Sequence, residues 1–321
     1  MSSLSKTRMG AKPWFYETVM AGPSDEQAFD SKLDLPSGPG QNYALLILLR
    51  VYLHQITPEH AIPGLHFAVH PDWDKKPNLI RDWPAADWTN FTGSVRRLAA
   101  LWDSKFWLVP PNEVGWFDVG WGGSRMRPNI KCEFRLEVVP SKYGAHRTVD
   151  AVNLATGNFF RTDSGTFTSA DAGGPESFNV PDQTGATTTT QHQTIPHETG
   201  HLLGLDHVNQ LRNDLNCGIA IAIDRTNQRN QSNSRYFPPL IPDFKFRGGI
   251  GAPVCYGFGG TADAINNIMG YGTRFTSEEA QPWLGRLPEH LALEGQDAFE
   301  FAFNHAKWTV VMSDTPPRVV H

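Results

Sequence analysis

The stretch that decides the fold is His197-Glu198-Thr199-Gly200-His201-Leu202-Leu203-Gly204-Leu205-Asp206-His207. Its first five residues form the pattern H-E-x-x-H. Residues four apart on a helix lie on one face about a turn apart, so His197 and His201 can point at a common ion. Glu198 lies one residue further round the helix, where it can hold a water molecule without being a ligand itself.

The full pattern is H-E-x-x-H-x-x-G-x-x-H. Gly204 can take the left-handed conformation that ends a helix, and a sharp turn there would bring His207 back as a third ligand. Imidazole nitrogens suit Zn²⁺, and a catalytic zinc keeps three protein ligands and one open position. Five residues alone are also compatible with a helix that carries two surface histidines, but the eleven-residue pattern is far more restrictive. The sequence therefore predicts a zinc site.

This stretch resembles the zinc signature of the metzincin metallopeptidases, the group that includes astacins, serralysins and matrixins. That group also has a methionine-containing turn beneath the metal, and Asn267-Ile268-Met269-Gly270-Tyr271 is the candidate here. Ordinary core filling is the alternative for Met269. Tyr271, two residues after the methionine, is similar to the tyrosine of astacins and serralysins that can reach the zinc. The residue after the third histidine is Val208, which matches none of these families and leaves the subfamily open.

The resemblance implies an α+β fold, with a twisted mixed sheet above a cleft and an active-site helix and a C-terminal helix below it. It also implies that an edge strand of the sheet binds extended substrate, for which Phe160 to Phe167 is the candidate. Metzincins often contain calcium. Asp163, Asp171 and Asp182 lie in Gly-rich loops, but their spacing matches no calcium-binding loop.

The predicted chemistry is hydrolysis of peptide bonds. Zinc on three neutral imidazoles remains a Lewis acid and lowers the pKa of its water towards neutrality. Glu198 would act as the general base, and Tyr271 could donate a hydrogen bond to the developing oxyanion. The alternative for Tyr271 is a core residue whose hydroxyl bonds the backbone. His146 and His192 are interpreted as ordinary polar positions.

Two other function classes stay open. The chain could hydrolyse a non-protein amide, such as cell-wall material, with the same water and the same glutamate. It could also be a binding module with a vestigial zinc site, although a purely structural site has no need of the base Glu198. Assays against peptide and cell-wall substrates would separate these alternatives.

Composition fits an enzyme with a large core. The 321 residues are 40% hydrophobic and 19% charged, and the net charge of −5 does not indicate a nucleic-acid or anionic-membrane partner. The longest apolar run, residues 44 to 53, is interrupted by Arg50 and is too short to span a bilayer. No secretory signal is evident at the N-terminus. We therefore expect a mature secreted chain or export without a recognisable leader, and otherwise a role inside the cell. The oligomeric state is not predicted.

The domain prediction is an irregular N-terminal extension at 1–42, a single catalytic domain at 43–321 and an insertion at about 209–260. The extension is interpreted as a surface arm, with a pro-segment as the alternative, and the insertion as either a cleft-shaping loop or a structural one. Cys217 and Cys255 could bridge the insertion or remain free, and Cys132 is expected to be a buried thiol.

The remaining pattern predicts a sheet and two further helices. Strands are expected over residues 43–56, 65–69, 106–109, 130–139, 148–154 and 158–168. A helix is expected over 88–102, capped by Thr89 or Asn90. Thr276-Ser277-Glu278-Glu279 is a capping box that opens a C-terminal helix, which Pro288 is expected to bend or end.

Overall fold

The computed structural model describes residues 29–34, 41–58, 67–71, 77–111, 119–121, 124–126, 129–155, 164–181, 187–208, 265–291, 308–312 and 317. The predicted insertion, Cys217, Cys255, Asp163 and Asp182 lie outside these residues, as does most of the predicted N-terminal extension. Among the described helices, none is long and apolar enough to cross a membrane.

The chain divides into two compact units. Unit 1 comprises Met1–Gly174, Thr194–Leu205 and Phe275–His321, and unit 2 comprises Pro175–Gln193 and Asp206–Arg274. The strands of the curled, mixed, seven-stranded sheet lie in unit 1: β1 (Asp30–Asp34), β2 (Tyr43–Ile56), β5 (Trp107–Val109), β8 (Ile130–Val139), β9 (Arg147–Val152), β10 (Thr166–Thr168) and β13 (Thr309–Val311). This mixture of strands and few helices is compatible with the predicted α+β class.

Three two-stranded pairs complete the described strands. They are β3 (Phe67–Pro71) with β4 (Pro77–Arg81), β6 (Val119–Trp121) with β7 (Ser124–Met126), and β11 (Glu176–Pro181) with β12 (Thr187–His192). All three pairs are antiparallel. The third pair belongs to unit 2 and precedes in the sequence the helix that carries His197 and His201.

The predicted strand over 43–56 is confirmed as β2, which lies inside the sheet. Leu45, Ile47, Leu49 and Val51 are fully buried, and Leu46 and Leu48 on the other face are nearly so. A strand buried on both faces is a near-continuous apolar run because neither face meets water. β8 is also confirmed with the predicted bounds, and its alternating residues from Ile130 to Leu136 are buried.

The connection from β8 to β9 crosses β2. β8 runs parallel to one edge of β2 as far as Tyr52, and β9 continues in the same direction on the other edge from Val51. A short connection is enough because β9 begins beside the point of β2 where β8 ends, and it runs in the same direction. Arg50 holds this crossover, since its Nε donates to the Gly144 carbonyl at 2.7 Å.

Asp30–Asp34 lie in the stretch predicted to be irregular and instead form β1, antiparallel to β2. Asp30 is 1% exposed, and its carboxylate accepts from Arg50 Nη1 at 2.5 Å and lies 3.1 Å from His146 Nε2. Aspartate is normally a surface residue because a buried carboxylate without partners is costly, and these two partners offset that cost for Asp30. His146 is a structural polar residue, as predicted.

Helix α1 spans Ala85–Ala99 and continues as a 3₁₀ helix over Ala100–Trp102. The predicted cap at Thr89 or Asn90 is wrong, because the helix begins four residues earlier and Thr89 donates its hydroxyl back to the Ala85 carbonyl at 2.9 Å. The two alanines at its start have high helix propensity, which extends the helix beyond the region of apolar periodicity.

The predicted capping box is confirmed at Thr276 and Glu279. It opens a 3₁₀ helix, Ser277–Ala280, that leads into α3 (Gln281–Leu291). Pro288 does not end α3, which continues for three more residues. The buried Trp283 donates its indole N–H to the Glu133 carbonyl of β8 at 2.9 Å, which attaches α3 to the sheet.

Candidate metal centre

The helix that carries His197 and His201, α2, spans Thr194–Leu202. Most of its residues are buried, including His197 and Glu198 at 5% and 7% exposure. The fully buried Trp102 donates its indole N–H to the Pro196 carbonyl at 2.8 Å. This bond joins α2 to the 3₁₀ helix that follows α1.

The helix ends in the turn that the glycine predicts. Gly204 has φ +86°, the left-handed region that glycine adopts without a steric penalty. The N–H of Gly204 donates to the His201 carbonyl at 2.9 Å, and the N–H of Leu205 donates to the Gly200 carbonyl at 3.0 Å. These two bonds define a Schellman motif, which reverses the chain within a few residues.

The turn brings the three predicted ligands together. One ligand atom from each of His197, His201 and His207 lies within 4.8 Å of the other two, which is a group that could hold a metal ion. The rings of His197 and His201 have centroids 4.8 Å apart and are nearly perpendicular. In the part of the chain that the structure describes, neither His146 nor His192 joins this group.

The ring of His201 has a defined orientation and tautomer. Its Nδ1 lies 2.7 Å from the Leu205 carbonyl oxygen, and because a carbonyl can only accept, Nδ1 must carry the proton. A neutral ring then presents the lone pair of Nε2 as its ligand atom. Metal-binding histidines commonly donate their second ring N–H to a carbonyl in this way, so this ring is preorganised for an ion.

The methionine turn lies against the residue that follows the third histidine. Met269 is 1% exposed, and its carbonyl accepts from the Val208 N–H at 3.2 Å. The turn itself is closed by Asn267, whose side-chain oxygen accepts from the Met269 N–H at 2.6 Å. The Asn267 carbonyl also accepts from the N–H groups of Gly270 and Gly272, both at 2.9 Å.

Gly272 is required for close approach of two backbone segments. A Cβ at this position would lie 1.9 Å from the carbonyl oxygen of Asn266. That separation is far inside any van der Waals contact, so another residue here would displace the turn. The turn carrying Met269 and Tyr271 therefore depends on Asn267 and Gly272, neither of which was predicted as a site residue.

Tyr271 is half-buried and held at its backbone and its ring. Its N–H donates to the Ile265 carbonyl at 3.2 Å, and its own carbonyl accepts from the Thr190 hydroxyl at 3.1 Å. The ring of His192 meets the tyrosine ring edge to face, with centroids 6.3 Å apart. Burial lowers the pKa of His192 to about 4, so this imidazole is neutral at neutral pH.

Two other predicted features have structural explanations. The buried Asp171 accepts from the backbone N–H and the hydroxyl of Thr168 at 2.6 and 2.8 Å, which gives its carboxylate a local role. Cys132 is a free, buried cysteine, as predicted, and burial raises the pKa of its thiol.

The predicted edge segment is described only in part, and β10 is the strand beyond β9 at one end of the sheet order.

No protein-family model, no curated protein and no solved structure matches the chain. The interpretation of the site therefore depends on its own residues.

Proposed function

We propose that this protein is a zinc-dependent endopeptidase of the metzincin type. The observation that carries the proposal is the group of three histidines, His197, His201 and His207, within 4.8 Å of one another after a Gly204 turn. Three imidazole ligands are one of the ligand sets of catalytic zinc, which keeps a fourth position open for water, and this supports the proposal.

The chemistry of the donor set favours zinc. Three neutral imidazole nitrogens suit Zn²⁺, whereas Ca²⁺ and Mg²⁺ prefer oxygen ligands. The proton that His201 directs to the Leu205 carbonyl leaves its other nitrogen as a Lewis base. Copper, nickel and cobalt also accept imidazole, so metal analysis of the purified protein must decide among them.

Glu198 is proposed as the general base. When bound, zinc polarises the substrate carbonyl and lowers the pKa of water towards neutrality. The Glu198 carboxylate is buried on the same helix as two of the ligands, one residue after His197. It takes a proton from the attacking water and delivers that proton to the leaving amine nitrogen, and this double transfer restores the carboxylate.

Tyr271 is proposed as the donor to the oxyanion. Its carbonyl and N–H are both hydrogen-bonded, so its backbone is fixed before substrate binds. A phenol that is already oriented can donate to charge that develops in the transition state without a cost of reorganisation. The buried Met269, two residues earlier, supports comparison with the metzincin turn.

The test is digestion of an unfolded protein substrate by the purified full-length chain, with and without a chelator, together with zinc quantitation. We expect cleavage that the chelator abolishes and that added zinc restores, with about one zinc per chain. Glu198→Gln is the matched control, because it should retain zinc and lack activity. Cleavage that survives both the chelator and Glu198→Gln would contradict the proposal.

A parallel assay on cell-wall material separates the alternatives. Zinc-dependent release of cell-wall fragments without peptide-bond cleavage would identify a non-protein amide as the substrate. Zinc binding without turnover on either substrate would favour a binding module that has kept the ligands. Both results would contradict the peptidase proposal and leave the metal site intact.

A further inference from the structure

The hairpin formed by β11 and β12 contacts Tyr271 through Thr190 and His192. Residues in β12 alternate between its two faces, so Thr190 and His192 share one face and Gln191 lies on the other. Gln191 is exposed and donates its amide to the Ser177 hydroxyl at 2.7 Å. The face with Thr190 and His192 is directed instead at the methionine turn, which contains Tyr271.

Three contacts restrain Tyr271 from different sides. The Ile265 carbonyl accepts from its N–H, and the Thr190 hydroxyl donates to its carbonyl. Thr190 is 5% exposed, so water does not readily compete for this second bond. The ring of His192 meets the tyrosine ring edge to face, and this contact bears on the direction of the phenol.

We propose that His192 is a positioning residue for Tyr271, and that β12 holds the tyrosine ring in the orientation that catalysis requires. This inference rests on the proposed function for the role of Tyr271, whereas the contact itself does not. The sequence pattern gave His192 no such role, because its partner lies far away in the chain.

The charge state of His192 is consistent with this role. Because burial lowers its pKa to about 4, the imidazole is uncharged at neutral pH and packs as an aromatic ring. An uncharged aromatic residue of similar shape should therefore replace it. A side chain without a ring should not, because it loses the edge-to-face contact. Thr190 would continue to hold the backbone in either case.

The first test follows the ring of Tyr271 without using activity. The full chain is labelled with fluorotyrosine and studied by ¹⁹F NMR, where Tyr271→Phe identifies one of seven tyrosine signals. We expect His192→Ala, and also His192→Gln, to shift and broaden that signal. His192→Phe should keep it narrow, and Gln191→Ala, on the opposite face of β12, should leave it unchanged. An unchanged Tyr271 signal in both ring-deleting variants would overturn the inference.

The second test is a kinetic double-mutant cycle. Misplacing a catalytic group by about 1 Å can cost on the order of 100-fold, so we expect His192→Gln to lower kcat by roughly 10- to 100-fold and to change KM little. In the Tyr271→Phe background, the same substitution should have almost no further effect. Equal losses in both backgrounds would mean that His192 acts independently of the tyrosine, which would overturn the inference.

The two tests separate this inference from the proposed function. If the protein has no peptidase activity, the proposed function fails, and the ¹⁹F signal still decides whether His192 orients Tyr271. If activity is present and the signal does not respond to loss of the His192 ring, the proposed function stands and the positioning role is wrong.

Discussion

His201 Nδ1 donates a hydrogen bond to the carbonyl oxygen of Leu205, 2.7 Å away. The two residues are four apart, and the bond spans the Gly204 turn that ends the helix. One local feature thus reverses the chain towards His207 and also sets the tautomer of His201, a candidate ligand that precedes the turn. The turn brings His207 close to the other two histidines, and the bond leaves Nε2 of His201 available to an ion.

Replacing Glu198 by Gln should separate binding of the metal from chemistry. Glu198 is buried but is absent from the ligand group, so the variant should hold about one zinc per chain. Loss of a general base should lower kcat by about 10²- to 10⁴-fold. Zinc quantitation beside initial rates on a peptide substrate measures both. Activity within a few-fold of the unsubstituted protein would refute the assigned role.

Replacing His207 by Ala should weaken zinc binding as much as replacing His201 by Ala. Even changes around a ligand cost about 10- to 100-fold in affinity, and loss of a ligand should cost at least that. Competition with a chromogenic chelator measures the dissociation constants. His54→Ala is the control, because His54 is part-exposed, lies on β2 outside the ligand group and should leave zinc affinity unchanged. Normal zinc affinity in the His207 variant would mean that another residue supplies the third ligand.

A matched pair of glycine substitutions tests the turn. Gly204→Ala places a side chain on a residue with φ +86°, which is unfavourable for an L-amino acid and should lower the free energy of unfolding by about 1–2 kcal/mol. It should also weaken zinc binding, because the turn brings His207 to the other two histidines. Gly93→Ala lies in exposed helix with no atom within 4 Å of the new Cβ, and should stabilise the fold by up to about 1 kcal/mol. Urea unfolding and zinc titration measure the two effects. The turn hypothesis would be wrong if both substitutions behaved alike.

Replacing Tyr271 by Phe should change catalysis and little else. The ring and the backbone contacts remain, so zinc content and unfolding should match those of the unsubstituted protein. One lost oxyanion donor costs on the order of 10²- to 10³-fold in kcat when it is buried, and less where water can replace it. Steady-state kinetics should show a larger change in kcat than in KM. A Phe variant with unchanged kcat would establish a purely structural tyrosine.

Acid should destabilise the fold partly through His192. Its folded pKa is about 4 and an unfolded histidine has a pKa of about 6.5, so the unfolded chain binds more protons between these values. The free energy of unfolding should therefore fall as pH decreases from about 6.5 to about 4. This one group contributes a fall on the order of 3 kcal/mol at most.

His192→Phe isolates that contribution, because it removes the titrating group and keeps a ring. Denaturant unfolding of the metal-free chain should show a shallower pH dependence for the variant than for the unsubstituted protein. Parallel curves for the two proteins over this range would show that His192 does not titrate differently on folding.

Features that depend on neighbouring residues were predictable from the sequence. The spacing of His197 and His201 requires only a helix, and the Gly204 turn requires only the conformational freedom of glycine. The capping box at Thr276 is equally local, since donor and acceptor lie within one turn. The bounds of β2 followed from its apolar run, because a central strand excludes water from both faces.

Tertiary structure alone decided the features whose partners lie far apart in the chain. Asp30 belongs to a buried strand because Arg50 pairs with its carboxylate and His146 lies within hydrogen-bonding distance of it, and no pattern near residue 30 predicts those partners. The contact between His192 and Tyr271 also depends on the fold, because the two residues lie far apart in the chain. A side chain's type sets which contacts it can make, but burial and pairing depend on the segments that the fold places beside it, and that placement is a property of the whole chain.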